Sequence, residues 1–160
     1  MGRGGTPALV ALDNAGVQYR VHEFEADPTR RGFGQAAASA LGVEPERVFK
    51  TLIAVVDESR HVVGIVPVSG QLSLKAIAAA VDGKRAEMGA PDVAERLTGY
   101  VVGGISPFGQ KRLLPTVIDE TCVLFDTIFV SGGRRGLDIE IAPDDLIGVL
   151  RAVTASIATD

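Results

Sequence analysis

Apolar residues crowd one short stretch of this chain more densely than any other. From Val48 to Val56 the two alternating sets of a strand are both hydrophobic. Val48, Leu52, Ala54 and Val56 share one face with Lys50, and Phe49, Ile53 and Val55 share the other with Thr51. A strand apolar on both faces is expected at the centre of a sheet. Asp57-Glu58-Ser59 turns it into a second strand, His61 to Val68. Elsewhere the period changes. Thr6-Pro7 sets a helix start, and Ala8, Leu9, Leu12 and Ala15 give an amphipathic stripe that stops at Gly16. Val17 to Phe24 alternates as a strand, followed by a loop through Ala26 to Gly34 and a helix from Gln35 to Leu41 closed by Gly42. Ser73 caps a helix from Leu74 to Val81, and Pro91 opens another to about Leu97.

Tyr100 to Ile105 is predicted to be a strand running into a glycine loop, Gly103 to Gly109. Three strands follow near Thr116–Ile118, Thr127–Ser131 and Leu137–Ile141. Pro143-Asp144-Asp145 starts a last helix, with acids where the helix dipole favours them, predicted to reach about Ile157. Helices mix with consecutive strands without regular βαβ alternation. The pattern predicts one α+β domain over residues 6–160 around a mixed, strongly curved sheet, after a flexible N-terminus at 1–5.

Composition narrows the function classes. At 46% hydrophobic and 22% charged, with no tryptophan, the 160 residues can bury a core of Val, Ile, Leu and Ala. The net charge of −4 argues against binding long nucleic acid through global charge, although a local basic patch is compatible with it. The single cysteine, Cys122, excludes an internal disulfide, and with two histidines at unhelpful spacing it builds no structural zinc site. No apolar run is long enough for a signal peptide or membrane span, so a cytoplasmic protein is expected, with no membrane partner.

Three features carry possible chemistry. Lys50 is a charged exception on an apolar strand, readable either as a side chain snorkelling from the strand end or as a cation presented to a phosphate or carboxylate. Gly103-Gly104-Ile105-Ser106-Pro107 follows the expected strand; it reads as a tight turn or as a backbone donor loop for an oxyanion. It is not a P-loop, because Gln110 stands where the lysine is required. Ser131-Gly132-Gly133-Arg134-Arg135-Gly136 joins two strands, and Asp138 and Glu140 share one face of the second. That face reads either as the solvated outside of a hairpin or as a pocket wall with Ser131 and Asp138 turned to a ligand. Basic pairs at Arg30-Arg31, Lys84-Arg85, Lys111-Arg112 and Arg134-Arg135 suit solvated surface, or together a short RNA backbone. Neither histidine has a triad or metal motif, and Cys122 reads as a small core residue.

Several longer motifs occur in register: V-H-E-F-E-A-D-P with R-G-F-G after it, V-F-K-T-L, V-P-V-S-G-Q-L-S-L-K, T-G-Y-V-V-G-G-I-S-P-F-G-Q-K-R-L-L-P-T and V-S-G-G-R-R-G-L-D-I-E. From about Thr6 to the final helix the chain resembles the YbaK family, free-standing Cys-tRNA(Pro) deacylases related to the editing domain of bacterial prolyl-tRNA synthetases. The resemblance implies a pseudo-barrel with helices outside and clearance of mischarged tRNA without cofactor or metal. It implies that Lys50 holds the tRNA 3′ end and that the backbone of Gly103, Gly104 and Ile105 faces the ester carbonyl. Phe33, Thr51, Ser131 and Asp138 match pocket positions, and Thr51 matches Cys-specific members. Phe24 stands where members often carry Tyr. Arg134 and Arg135 match a basic position at the tRNA, and association with prolyl-tRNA synthetase is implied. The suggested mechanism uses the substrate's own cysteine thiol as nucleophile. Two alternatives stand beside it: release of another small aminoacyl group such as Ala or Ser, and a non-catalytic module for tRNA ends or a synthetase.

Overall fold

In the computed structural model the described residues are 5–25 and 33–160, with Phe33 described by its backbone alone. The expected flexible N-terminus, apart from Gly5, therefore lies outside the described residues, as do the Arg30-Arg31 pair and the Phe33 side chain.

The helix starts form as their capping residues dictate. Thr6 Oγ1 accepts the Leu9 N–H at 3.3 Å, Pro7 follows, and helix α1 (Pro7–Ala15) ends on Gly16 at φ 71°. After β1 (Arg20–Glu23), helix α2 (Phe33–Leu41) leads to β2 (Phe49–Val56). Asp57 and Glu58 both take positive φ, 51° and 67°, which matches the twist of an antiparallel hairpin into β3 (Arg60–Pro67). The Asp57 carboxylate accepts the Lys84 and Arg85 backbone N–H groups, and these bonds hold its carboxyl below the usual aspartate range. Next come β4 (Gln71–Leu72), α3 (Leu74–Ala80) capped by Ser73, β5 (Ala86–Met88) and α4 (Pro91–Thr98). The chain closes with β6 (Thr116–Asp119), β7 (Ile128–Arg134), β8 (Leu137–Ile141), α5 (Pro143–Leu150), β9 (Val153–Ala155) and β10 (Ala158–Thr159).

The fold is α+β with mixed pairing. A five-stranded sheet runs β5-β2-β3-β6-β9, with β2 antiparallel to both neighbours and β3-β6 and β6-β9 parallel. A three-stranded antiparallel sheet runs β1-β8-β7, and β10 pairs with β4. The single curved sheet expected from the sequence is thus divided into three in its hydrogen bonding. An isolated parallel bridge, Val48 to Phe129, links the ends of the two larger sheets. The main core lies between them, where Phe49, Ile53 and Ile65 meet Val130, Ile139, Leu146 and α1.

Two predicted elements are corrected. Tyr100–Ile105 forms no strand. Gly99 caps α4 at φ 85°, Glu95 takes the Val102 N–H, and Gly104 N–H closes a turn onto Val101 C=O, so side-chain and turn bonds replace a ladder. The last helix stops at Leu150, not Ile157, because Arg151 enters the left-handed region at φ 52° and the chain becomes β9 and β10. Buried Asp119 secures that end: its Oδ1 accepts the Ile157 and Ala158 N–H groups, each at 2.9 Å.

Candidate active site

The start of β2 carries Lys50 and Thr51 to the wall of a cavity of about 430 Å³. Register explains how the opposite wall is assembled. His22 of β1 pairs with Asp138 of β8, which pairs in turn with Ser131 of β7. Antiparallel partners share a face, so these three side chains form one row across the sheet. The reverse face, with Val130, Leu137 and Ile139, is buried in the main core. At Ser131 and Asp138 the polar face is therefore a cavity wall, and the solvated-hairpin reading of Asp138 is overturned: this aspartate is only 7% exposed. Further along the same face Glu140 is not a free surface acid. Its carboxylate receives the Thr127 hydroxyl at 2.6 Å and pairs with His22 Nε2 at 2.9 Å, which holds its carboxyl below the usual glutamate range.

Three groups at the cavity are under-satisfied. Burial lowers the Lys50 ammonium pKa, and among the described residues no carboxylate lies in ion-pair distance of it. Burial pushes the Asp138 carboxyl up to about 7, again with no protein partner to oppose it among the described residues. Thr51 is 7% exposed, and its Oγ1 is buried with no hydrogen-bond partner among the described residues. Native interiors rarely leave such groups unpaired without a reason. Their convergence on one cavity suits a ligand that carries both an acceptor and a donor.

The other expected site residues fall as follows. Phe24, Gly103, Ile105, Ser131 and Arg135 also line the cavity. Ser131 Oγ accepts the Gly133 N–H at 3.2 Å. Gly104 does not line it: its N–H serves Val101, and a Cβ there would lie 2.8 Å from the Arg134 and Arg135 backbone. Its absent side chain lets the two loops touch. Gly103, at φ 90°, and Ile105 offer backbone N–H groups with no acceptor among the described residues. Arg134 points away, paired with Glu23 at 2.8 Å on the surface. Arg135 directs Nε and Nη2 to the Val102 C=O at 2.9 and 2.7 Å. Among the described residues no group of His, Cys, Asp or Glu is placed to hold a metal ion. Cys122 is core, fully buried, with its thiol pushed up to about 11 by burial.

The sequence alone gave no reason to single out Glu95. It lies on a helix that reads as surface, and only the fold brings its Oε2 to the Val102 N–H at 2.8 Å. Gln35 was equally silent; it lines the cavity while donating to Val68 C=O at 2.8 Å.

A model of the aminoacyl-tRNA editing domain family matches residues 29–149. The chain belongs to that family. This editing domain is 34% identical over 154 residues to a protein of Enterococcus faecalis named Cys-tRNA(Pro)/Cys-tRNA(Cys) deacylase EbsC, covering 96% of this chain and 93% of the relative. It is 29% identical over 145 residues to the multifunctional Ser/Thr-tRNA deacylase ProXp-y of Escherichia coli K12, covering 88% and 84%. Among solved structures, one described as a trans-editing enzyme for prolyl tRNA synthetase superposes with a TM-score of 0.85 at 24% identity over 96% of each chain, a likeness of fold. Among the described residues no helix of the editing domain is long and apolar enough to cross a membrane.

Proposed function

We propose that this protein removes cysteine from Cys-tRNA(Pro), with the 3′ acceptor end of the tRNA entering the cavity between β2 and the β7–β8 hairpin. One observation carries the reading. In a member of the aminoacyl-tRNA editing family, a cation, a buried carboxylate and a buried hydroxyl, none with a partner among the described residues, meet on one cavity beside backbone donors that are free among those residues. Lys50 would hold the anionic backbone of the terminal nucleotide. Asp138, which has no counter-ion among the described residues, would take the substrate ammonium, and Thr51 and Ser131 would bound the amino-acid side chain with Phe24. The backbone N–H groups of Gly103 and Ile105 would face the ester carbonyl. Bond breaking then falls to the substrate. Its thiol loses a proton and the sulfur attacks the carbonyl carbon. The oxyanion collapses, the carbon–oxygen bond to ribose breaks, and the ribose oxygen takes a proton as a cyclic thiolactone departs. Proximity and preorganised donors suffice for such a step.

The reading includes two finer points. The linked sheets curl into the family's pseudo-barrel, supported by the Val48–Phe129 bridge. A chain of net charge −4 gains its tRNA selectivity through a prolyl-tRNA synthetase partner. A second reading, release of Ser, is favoured by the likeness to ProXp-y. A deacylation panel over Cys-, Ala-, Ser- and Pro-tRNA(Pro) decides between them. The expected result is release of cysteine fastest, abolished in Lys50→Ala. Tight binding of uncharged tRNA with no turnover of any charged species would replace the enzyme by a binding module.

A further inference from the structure

Val102 is held on both of its peptide bonds by charged side chains. On one side the Glu95 carboxylate accepts the Val102 N–H at 2.8 Å, from the last turn of α4. On the other the Arg135 guanidinium forks onto the Val102 C=O through Nε at 2.9 Å and Nη2 at 2.7 Å. Charge-assisted bonds of this kind are shorter and stronger than neutral ones, and the planar fork fixes direction as well as distance. The Arg135 backbone is itself held against the loop, since Gly104 packs there with no room for a Cβ.

The geometry points to Arg135 as a positioning residue for the Gly103 N–H, an assignment that rests on the deacylase reading above. The Val102 carbonyl and the Gly103 amide are two ends of one peptide unit. No described peptide is cis, and a trans peptide is planar, so the N–H points opposite the carbonyl. A guanidinium that fixes the oxygen thereby aims the hydrogen. It also draws electron density toward the oxygen and makes the N–H a stronger donor, as hydrogen bonds in series polarise one another. Gly103 at φ 90° lets the plane take this tilt without side-chain strain. Glu95 fixes the preceding peptide, so Val102 is anchored on both sides. The resemblance of the hairpin to its family gave Arg135 to the tRNA backbone; its donors to Val102 give it a different task, on the reacting carbonyl through Gly103.

The test separates these roles. In Arg135→Ala, kcat on Cys-tRNA(Pro) falls about 10- to 100-fold, somewhat less than the cost of deleting an oxyanion donor. KM for tRNA and the salt dependence of kcat/KM stay as in the wild type. Arg135→Lys, a point donor without the fork, recovers part of kcat, and millimolar guanidinium restores Arg135→Ala without affecting the wild type. In the free protein the Gly103 amide resonance moves upfield in Arg135→Ala, and the Val102 amide loses exchange protection in Glu95→Ala. A raised KM with a salt slope shallower by about one and unchanged kcat would make Arg135 a phosphate contact and overturn the proposal. An unmoved Gly103 resonance in Arg135→Ala would overturn it as well, whether or not the wild type deacylates any tRNA. Absence of wild-type deacylation would strike the functional reading instead.

Discussion

Asp138→Asn removes a charge that the fold keeps at a cost. The carboxyl is 7% exposed, unpaired among the described residues, and raised by burial from 3.8 to about 7. In the unfolded chain it ionises near its ordinary value, while the folded protein retains the proton up to about pH 7. Well below pH 3.8 both states are protonated and nothing is lost. As pH rises toward 7 the unfolded state is favoured progressively, and above pH 7 the full difference, about 4 kcal/mol, weighs against folding. Asparagine carries no such titration. Its buried amide has a cost of about 1–3 kcal/mol if unpaired, but that cost is the same at every pH and cancels in the comparison. The stability of Asp138→Asn relative to wild type therefore improves by about 4 kcal/mol between pH 4 and pH 8. Urea unfolding of both proteins at pH 4, 6 and 8 measures it, with m-values confirming equal exposed surface. The same variant loses deacylation, because the carboxylate assigned to the substrate ammonium is gone. A relative stability that moves by less than about 1 kcal/mol across that range would refute the burial argument.

The hydroxyl of Thr51 has no partner among the described residues, so Thr51→Val stabilises the free protein by about 1 kcal/mol, a Tm rise of roughly 2–4 °C, while kcat/KM on Cys-tRNA(Pro) drops. Calorimetry beside the deacylation assay checks both, and a lowered Tm would mean that the hydroxyl is satisfied inside the protein. Asp119→Ala strands the Ile157 and Ala158 amides and both donors of Thr121, and destabilises by about 3 kcal/mol or more at unchanged m, read from the urea midpoint.

Much of this architecture is written locally. Thr6-Pro7, Gly16 and Ser73 mark helix ends through bonds that neighbours a few residues away complete, Pro91 does so through its fixed φ, and each marks an observed boundary. The two apolar faces around Lys50 place its strand at the centre of a sheet, and β2 does lie between β5 and β3. What could not be read depends on distant partners. Alternation puts Asp138 and Glu140 on one face but is silent on what covers that face. Tyr100 to Ile105 has strand propensity, yet Glu95 and a turn to Val101 satisfy its backbone first. The short strands β9 and β10 exist because β6 and β4 offer edges to them, and two or three residues are too few to show an alternation. The family resemblance supplied candidate roles, but not the commitment of the Gly104 N–H to Val101 or of Arg135 to Val102.

The central claim is that the substrate thiol breaks the ester while the protein positions it. Pre-steady-state deacylation of Cys-tRNA(Pro), compared with the same tRNA carrying S-methylcysteine, tests it most directly. Loss of at least about 100-fold in rate on the blocked substrate, with binding retained, is expected when a positioned nucleophile is removed. Equal rates on both substrates would contradict the account and return the search to a water or side-chain nucleophile in the same cavity.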